Sequence, residues 1–247
     1  MIEKYKLYGG KIELLFNPEK HIYTVGDKIV DGVTSVIQIV DKSGPLMWWA
    51  VNQAIEYLKN NLKPGKELDE IEIGQLLEEA ARQHRTSKNR AASIGDLTHS
   101  YIEKALKGQK PKLPINQKVR NGIKAFAKWA KQNKLKPKIS ERKVYSKKYG
   151  YAGTLDLAGT VNGKTAIVDI KTSSGIYDEM RYQVAAYKYA LEEESGQKYE
   201  ERWIIRLGKE DGEFEAVKLE DYDKDFKGFL AALILHRRRK ELRNNNH

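Results

Sequence analysis

The Asn162-Gly163 step, set between two strand-like runs, constrains this chain more than any other feature. Asn-Gly readily adopts the left-handed backbone of a type I′ turn, so it closes two-residue β-hairpins. A two-residue turn also fixes the register by arithmetic. Val161 faces Lys164, Thr160 faces Thr165, and further out Asp156 faces Asp169 and Thr154 faces Lys171. On that count Leu155 and Leu157 share an apolar, buried face with Val168 and Ile170, while Asp156, Asp169 and Lys171 share the other. Two carboxylates directly opposite stand about 5 Å apart and repel one another. A divalent cation with oxygen ligands would join them, with Lys171 as a fixed positive group beside it. The alternative is an ordinary Asp–Lys surface pair with Asp156 solvated. It leaves unexplained why charges interrupt a run as apolar as Thr-Ala-Ile-Val-Asp-Ile.

Such a site suits phosphodiester hydrolysis, because a metal polarises the phosphoryl oxygen and lowers the pKa of a bound water. Lys171 would orient or deprotonate the attacking water, or stabilise charge developing on the phosphate.

Composition narrows the chemistry. There is no cysteine among the 247 residues, which removes disulfides, thiol nucleophiles, zinc–thiolate sites and cysteine-bound iron–sulfur clusters. Oxygen and imidazole ligands favour Mg²⁺ or Mn²⁺ over zinc. No stretch approaches the roughly 20 apolar residues of a membrane span. The opening MIEKYKLYGGKIELLF lacks the apolar core of a signal peptide, so a cytoplasmic protein with no membrane partner is expected.

The net charge of +11 is unevenly spread. Residues 104–140 hold twelve Lys or Arg and no acid, and Arg237, Arg238 and Arg239 form a second cluster near the end. Clustered positive charge is the footprint of a polyanion, the alternative for either cluster being solubility alone. Within an amphipathic helix over 116–133, Val119, Ile123, Phe126 and Ala130 form one stripe. Arg120, Lys124, Lys128 and Lys131 form another, expected to meet phosphates.

Elsewhere the pattern reads as short strands over 11–37, a helix after Pro45 carrying Trp48, Trp49, Ile55 and Leu58, a polar helix over 69–84, and a helix over 92–107. Strands are expected over 141–145, 151–161, 164–172 and 200–207, a helix over 178–194, a hairpin at Asp211-Gly212 and a helix over 221–243. No repeat or linker appears. A single domain is expected: an N-terminal hairpin and helical part (1–90), a core (91–210), and a closing hairpin with a basic helix (211–247).

The ordered set Gly153-Thr-Leu-Asp156 and Asp169-Ile-Lys171-Thr172 resembles the core signature of the PD-(D/E)XK nuclease superfamily. An upstream helix with Gly95 and His99 and a downstream Gln183-Val-Ala-Ala-Tyr187 resemble its RecB-like exonuclease branch, and Glu141 matches a common acidic position there. These motifs span roughly 94–190. The resemblance implies an α/β fold with a restriction-endonuclease-like core, a central mixed β-sheet flanked by helices. It implies that His99, Asp156, Asp169 and the Ile170 carbonyl ligate Mg²⁺ or Mn²⁺, and that Lys171 is the catalytic base or water-positioning residue. Gln183 and Tyr187 would contact the DNA or brace Lys171, and Thr172 and the basic clusters would meet the strand. The lack of cysteine places the chain nearer the cluster-free phage-type and mitochondrial-maintenance exonucleases.

Each position also has a bland reading. His99 would pair with Glu103, Glu141 with Arg142 or Lys143, and Gln183 and Tyr187 would simply pack. The expected function is a metal-dependent DNA exonuclease in recombination, repair or phage DNA processing, acting on single strands or duplex ends, with any recombination partner protein unidentified. The alternatives are an endonuclease (a nickase or junction resolvase) on the same core, or a non-catalytic nucleic-acid-binding module.

Overall fold

A computed structural model describes residues 1–40 and 43–245. The chain falls into two compact units, one of Met1–Val40 with Thr98–His247 and one of Asp41–Leu97. In chain order the elements are β1 (Glu3–Leu7), β2 (Ile12–Asn17), β3 (Ile22–Val25), β4 (Lys28–Gly32), α1 (Val33–Ile37), α2 (Ser43–Asn61), α3 (Glu70–Leu106) and α4 (Gln117–Gln132). They continue with β5 (Lys136–Ser146), β6 (Tyr151–Val161), β7 (Lys164–Lys171), α5 (Asp178–Ser195), β8 (Glu201–Leu207), β9 (Phe214–Lys218) and α6 (Tyr222–Asn244).

The larger unit is the mixed α/β architecture expected from the sequence. Its nine strands form one sheet in the order β1-β2-β3-β4-β6-β7-β8-β9, with β5 paired to the other edge of β6. Two buried layers cover it. Leu155, Ala158, Ile167 and Ile204 enter a core with α1, α5 and α6, built around Val184, Tyr187 and Phe229. Leu157, Val168, Ile170 and Ile205 enter a second core with Ile102 of α3 and Phe126 and Trp129 of α4. Each such Leu, Ile or Val contributes on the order of 1.5–3 kcal/mol through removal from water. The N-terminal strands close a smaller cluster of Leu7, Leu14, Phe16 and Tyr23 against Ala152.

The smaller unit holds α2 and α3 up to Leu97. There Ser87 Oγ donates to Gln53 Oε1 at 2.7 Å, and Trp48 and Ile55 lie exposed. The helices expected over 69–84 and 92–107 are one continuous α3. Residues 85–91 contain no Pro or Gly to stop a helix, and their polarity erases the periodicity that would reveal one. Among the described residues no helix is long and apolar enough to cross a membrane.

The hairpin register holds over every described pair, from Val161↔Lys164 to Leu157↔Val168. The ladder then stops, one step short of the carboxylates. Beyond that point β6 takes a parallel partner on the same edge, with Asp31↔Tyr151 and Gly32↔Ala152 of β4. Residues 153–156 therefore lie at a fork where β6 has left β7 and not yet met β4. Leu155 also departs from expectation, since it enters the α5 core while Leu157 enters the α4 core. Residues two apart on a regular strand share a face, so the alternation of β6 changes phase at Asp156.

Candidate metal centre

The phase change has a counterpart on β5. Ser140↔Leu157 and Arg142↔Leu155 are paired, but the Glu141–Asp156 step between them is not. Glu141 adopts φ 50°, a left-handed conformation that costs a non-glycine residue about 1–3 kcal/mol. Two facing strands thus interrupt their ladder at one level, and both interruptions carry a carboxylate.

His99 joins them from α3. Ligand atoms of His99, Glu141 and Asp156 all lie within 4.8 Å of one another, with His99 Nδ1 3.9 Å from Asp156 Oδ2. The residues of the plainer pairings also have other partners, although Lys143 still acts on Glu141 through its charge. Glu103 pairs with Lys107, Arg142 with Glu194 at 2.6 Å, and Lys143 lies 4.6 Å over the Phe16 ring. Burial, then the charges of Asp156 and Glu103, push Glu141 up to about 8.

Asp169 and Lys171 stand outside that group of three, on β7, held by its parallel pairing to β8 through Asp169↔Ile204 and Lys171↔Arg206, and Asp169 feels the charges of Asp156 and His99. Because Val168 and Ile170 fill the α4 core, Asp169 lies on the side of Ile167 and α5. Its residue is 0% exposed. Lys171 Nζ stands 2.6 Å from Asp169 Oδ2, a close ion pair that answers the buried carboxylate. Burial, opposed by Lys171 and reinforced by Asp156, lifts Asp169 to about 6. Burial also pulls the Lys171 ammonium down, but the carboxylates of Asp169 and Asp156 outweigh it, leaving Lys171 above the usual lysine range. Ile170 meets the site through its backbone N–H, which donates to Asp156 Oδ2 at 2.7 Å.

On α5, Gln183 Nε2 donates to the Tyr187 hydroxyl at 2.9 Å, both side chains being buried. Burial, with Asp169 nearby, holds the Tyr187 phenol well above its ordinary range. Gly153 makes room for that ring. A Cβ there would stand 2.5 Å from Tyr187 Cε1 and 3.2 Å from Val33 Cγ2, so the glycine of Gly153-Thr-Leu-Asp156 is a steric necessity. Thr172, partly buried, opens the loop from β7 to α5.

The donor set fits a hard divalent ion. Carboxylate oxygens and one imidazole converge, no thiolate is present, and Asp169 is fully buried with the Lys171 ammonium beside it. A carboxylate this deeply buried is costly to ionise, and a divalent cation near it would offset that cost.

The basic residues are less free than the sequence implies. Lys128 pairs with Glu213 and Lys118 with Glu210 at 2.5 Å, so acids of the β8–β9 turn meet the segment that has none of its own. Arg120 Nε donates to the Pro114 carbonyl at 2.6 Å, while Lys124 and Lys131 are exposed. Arg237 is committed elsewhere. It donates to Asp31 Oδ2 and to the carbonyls of Tyr149 and Gly150, and Lys240 Nζ reaches the same Asp31 at 2.8 Å. Arg238 pairs with Glu241 at 3.0 Å, and Arg239 is exposed.

Two contributors escaped the sequence reading. Glu179, buried at the start of α5, adds its charge in support of the Lys171 ammonium. Its place one helical turn before Gln183 was the available signal. The Tyr23 hydroxyl bonds Thr154 Oγ1 at 2.9 Å across a separation of 131 residues, for which no sequence signal exists.

No protein-family model matches this chain, and no curated protein matches it. A solved structure described as "Crystal structure of SSO0001" is similar to it at 14% identity, covering 78% of this chain and 87% of that one, with a TM-score of 0.34. A likeness that weak carries no weight, and the site rests on its own geometry.

Proposed function

We propose that this chain is a Mg²⁺- or Mn²⁺-dependent deoxyribonuclease that hydrolyses phosphodiester bonds from DNA ends. The observation that carries the reading is the His99–Glu141–Asp156 group, whose ligand atoms lie within 4.8 Å of one another, together with the buried Asp169–Lys171 pair, on which Asp156 and His99 act electrostatically. His99, Asp156 and Asp169 would hold the ion, with Glu141 within ligand reach of the first two. The bound ion would supply Lewis acidity toward a phosphoryl oxygen and a water of lowered pKa.

The side chains divide the remaining work. Lys171, kept charged by its carboxylate neighbours, donates a hydrogen bond to the attacking water or to the phosphate oxygens as negative charge develops. It can accept a proton only when those carboxylates are neutralised. Asp156 is fixed by the Ile170 N–H. Gln183 and Tyr187 hold one another on the α5 side and are positioning residues for Asp169 and Lys171.

The test compares linear DNA labelled at either end with covalently closed circular DNA, with Mg²⁺ and with a chelator. The expected result is metal-dependent loss of label from linear DNA with the circle spared. Nicking of the circle transfers the assignment to the endonuclease alternative. A folded protein that cuts neither substrate in metal overturns the reading.

A further inference from the structure

A cavity with basic walls lies between the end of α3 and β5, on the strand that carries Glu141. From His99 to Lys107 the end of α3 advances about 12 Å at helical rise. From Glu141 back to Pro137 the strand covers about 13 Å. His99 and Glu141 meet, and further along α3 Leu106 and Lys107 face β5 from Pro137 to Ser140, with Arg142 on the other side of Glu141, around a cavity of about 410 Å³. Helix and strand therefore run side by side, away from the carboxylates. The groove's strand wall is an edge: among the described residues β5 pairs with β6 alone. It is also irregular, because the register shifts between Pro137 and Ile139 and takes Lys138 out of the ladder.

Lys107, Lys138 and Arg142 line this cavity. Glu103 holds Lys107, and Glu194 holds Arg142. Those pairings fix two cations at the walls at the cost of some of their charge, while Lys138 is exposed.

We propose that this groove binds the sugar–phosphate backbone of the nucleic-acid strand on one side of the bond to be cut, with Lys138 and Lys107 contacting successive phosphates. This rests on the nuclease reading and adds a direction to it, since the strand leaves the carboxylates along β5 toward the bulge. A peptide strand added to the same edge would bind through backbone hydrogen bonds and be indifferent to the two lysines.

The experiment measures binding of a labelled single-stranded oligonucleotide in chelator over a salt series, in parallel with cleavage by the parent protein in Mg²⁺. Lys138→Gln should lower affinity about fivefold at 0.1 M salt and reduce the logarithmic salt slope by about 0.7, the counterion-release effect of one phosphate on a single strand. Adding Lys107→Gln should lower both again. Lys227→Gln, an equal charge change on exposed α6, should move neither. All three variants should melt like the parent. If the parent binds and cuts DNA but the double variant matches it in affinity and slope, the groove assignment fails and the nuclease reading survives. If the parent neither binds nor cuts, both fail. Inorganic phosphate or a mononucleotide that displaces the oligonucleotide as well as unlabelled strand does would also overturn the proposal, because the groove would then be a single-phosphate site.

Discussion

Replacing Lys171 with Ala is expected to lower metal-dependent DNA cleavage by about two to three orders of magnitude or more, the effect of removing one preorganised electrostatic group from a transition state. DNA affinity should stay near the parent value, since the groove lysines and the exposed basic residues lie elsewhere. Stability should also fall in metal-free protein. Lys171 is the cation 2.6 Å from a carboxylate with no exposure to solvent. Breaking a buried pair by removing one partner costs on the order of 3 kcal/mol, equivalent to roughly 6–12 °C of melting temperature for a chain of this size. Lys171→Arg separates the two effects. It should recover much of the stability by pairing again with Asp169, but little cleavage, because a planar guanidinium cannot take the place of a compact ammonium. Substantial activity in Lys171→Ala would remove this residue from the mechanism.

The second large effect is a dependence of metal binding on pH. Asp169 titrates at about 6 against an ordinary 3.8, and Glu141 at about 8 against 4.5, burial being the leading cause in each. Both folded values are raised, so without metal these groups favour the folded protein most while they stay protonated. Their contribution is fully present below about pH 4. It is lost progressively as pH rises, by about 6 for Asp169 and by about 8 for Glu141. A cation reverses the trend, because its ligands must be ionised. The melting-temperature gain on adding Mn²⁺ should therefore be small at pH 5.5 and large at pH 8.5. At a hundredfold excess over the dissociation constant it is worth about 2.7 kcal/mol, or roughly 5–11 °C. Asp169→Asn should abolish the gain at both values. A Mn²⁺ gain independent of pH, or one that survives Asp169→Asn, contradicts this linkage.

How much of this was legible in the sequence follows from the range of each interaction. The Asn162-Gly163 turn set the hairpin register because turn chemistry and alternation act over a few residues, and five pairs agree with it. The same rule misplaced Leu155, because the phase change at Asp156 depends on Glu141, a residue on another strand whose left-handed backbone no local pattern announces. The hairpin register points to Asp156 and a family resemblance to His99 and Glu141, and the fold brings the three within ligand reach. The basic segment was legible as charge but not as free charge, since Glu210 and Glu213 are brought to it by a turn some 90 residues later. Arg237 was read as a phosphate contact because its partner, Asp31, lies 206 residues away.

One divalent ion held between Asp156 and Asp169 would show most directly in the anomalous scattering of a crystal soaked in Mn²⁺ at pH 8.5. A peak is expected within about 2.5 Å of a carboxylate oxygen from each. Lys171 should be drawn off Asp169 Oδ2, beyond its 2.6 Å contact. Mn²⁺ bound elsewhere, with the Asp169–Lys171 ion pair intact, would contradict it.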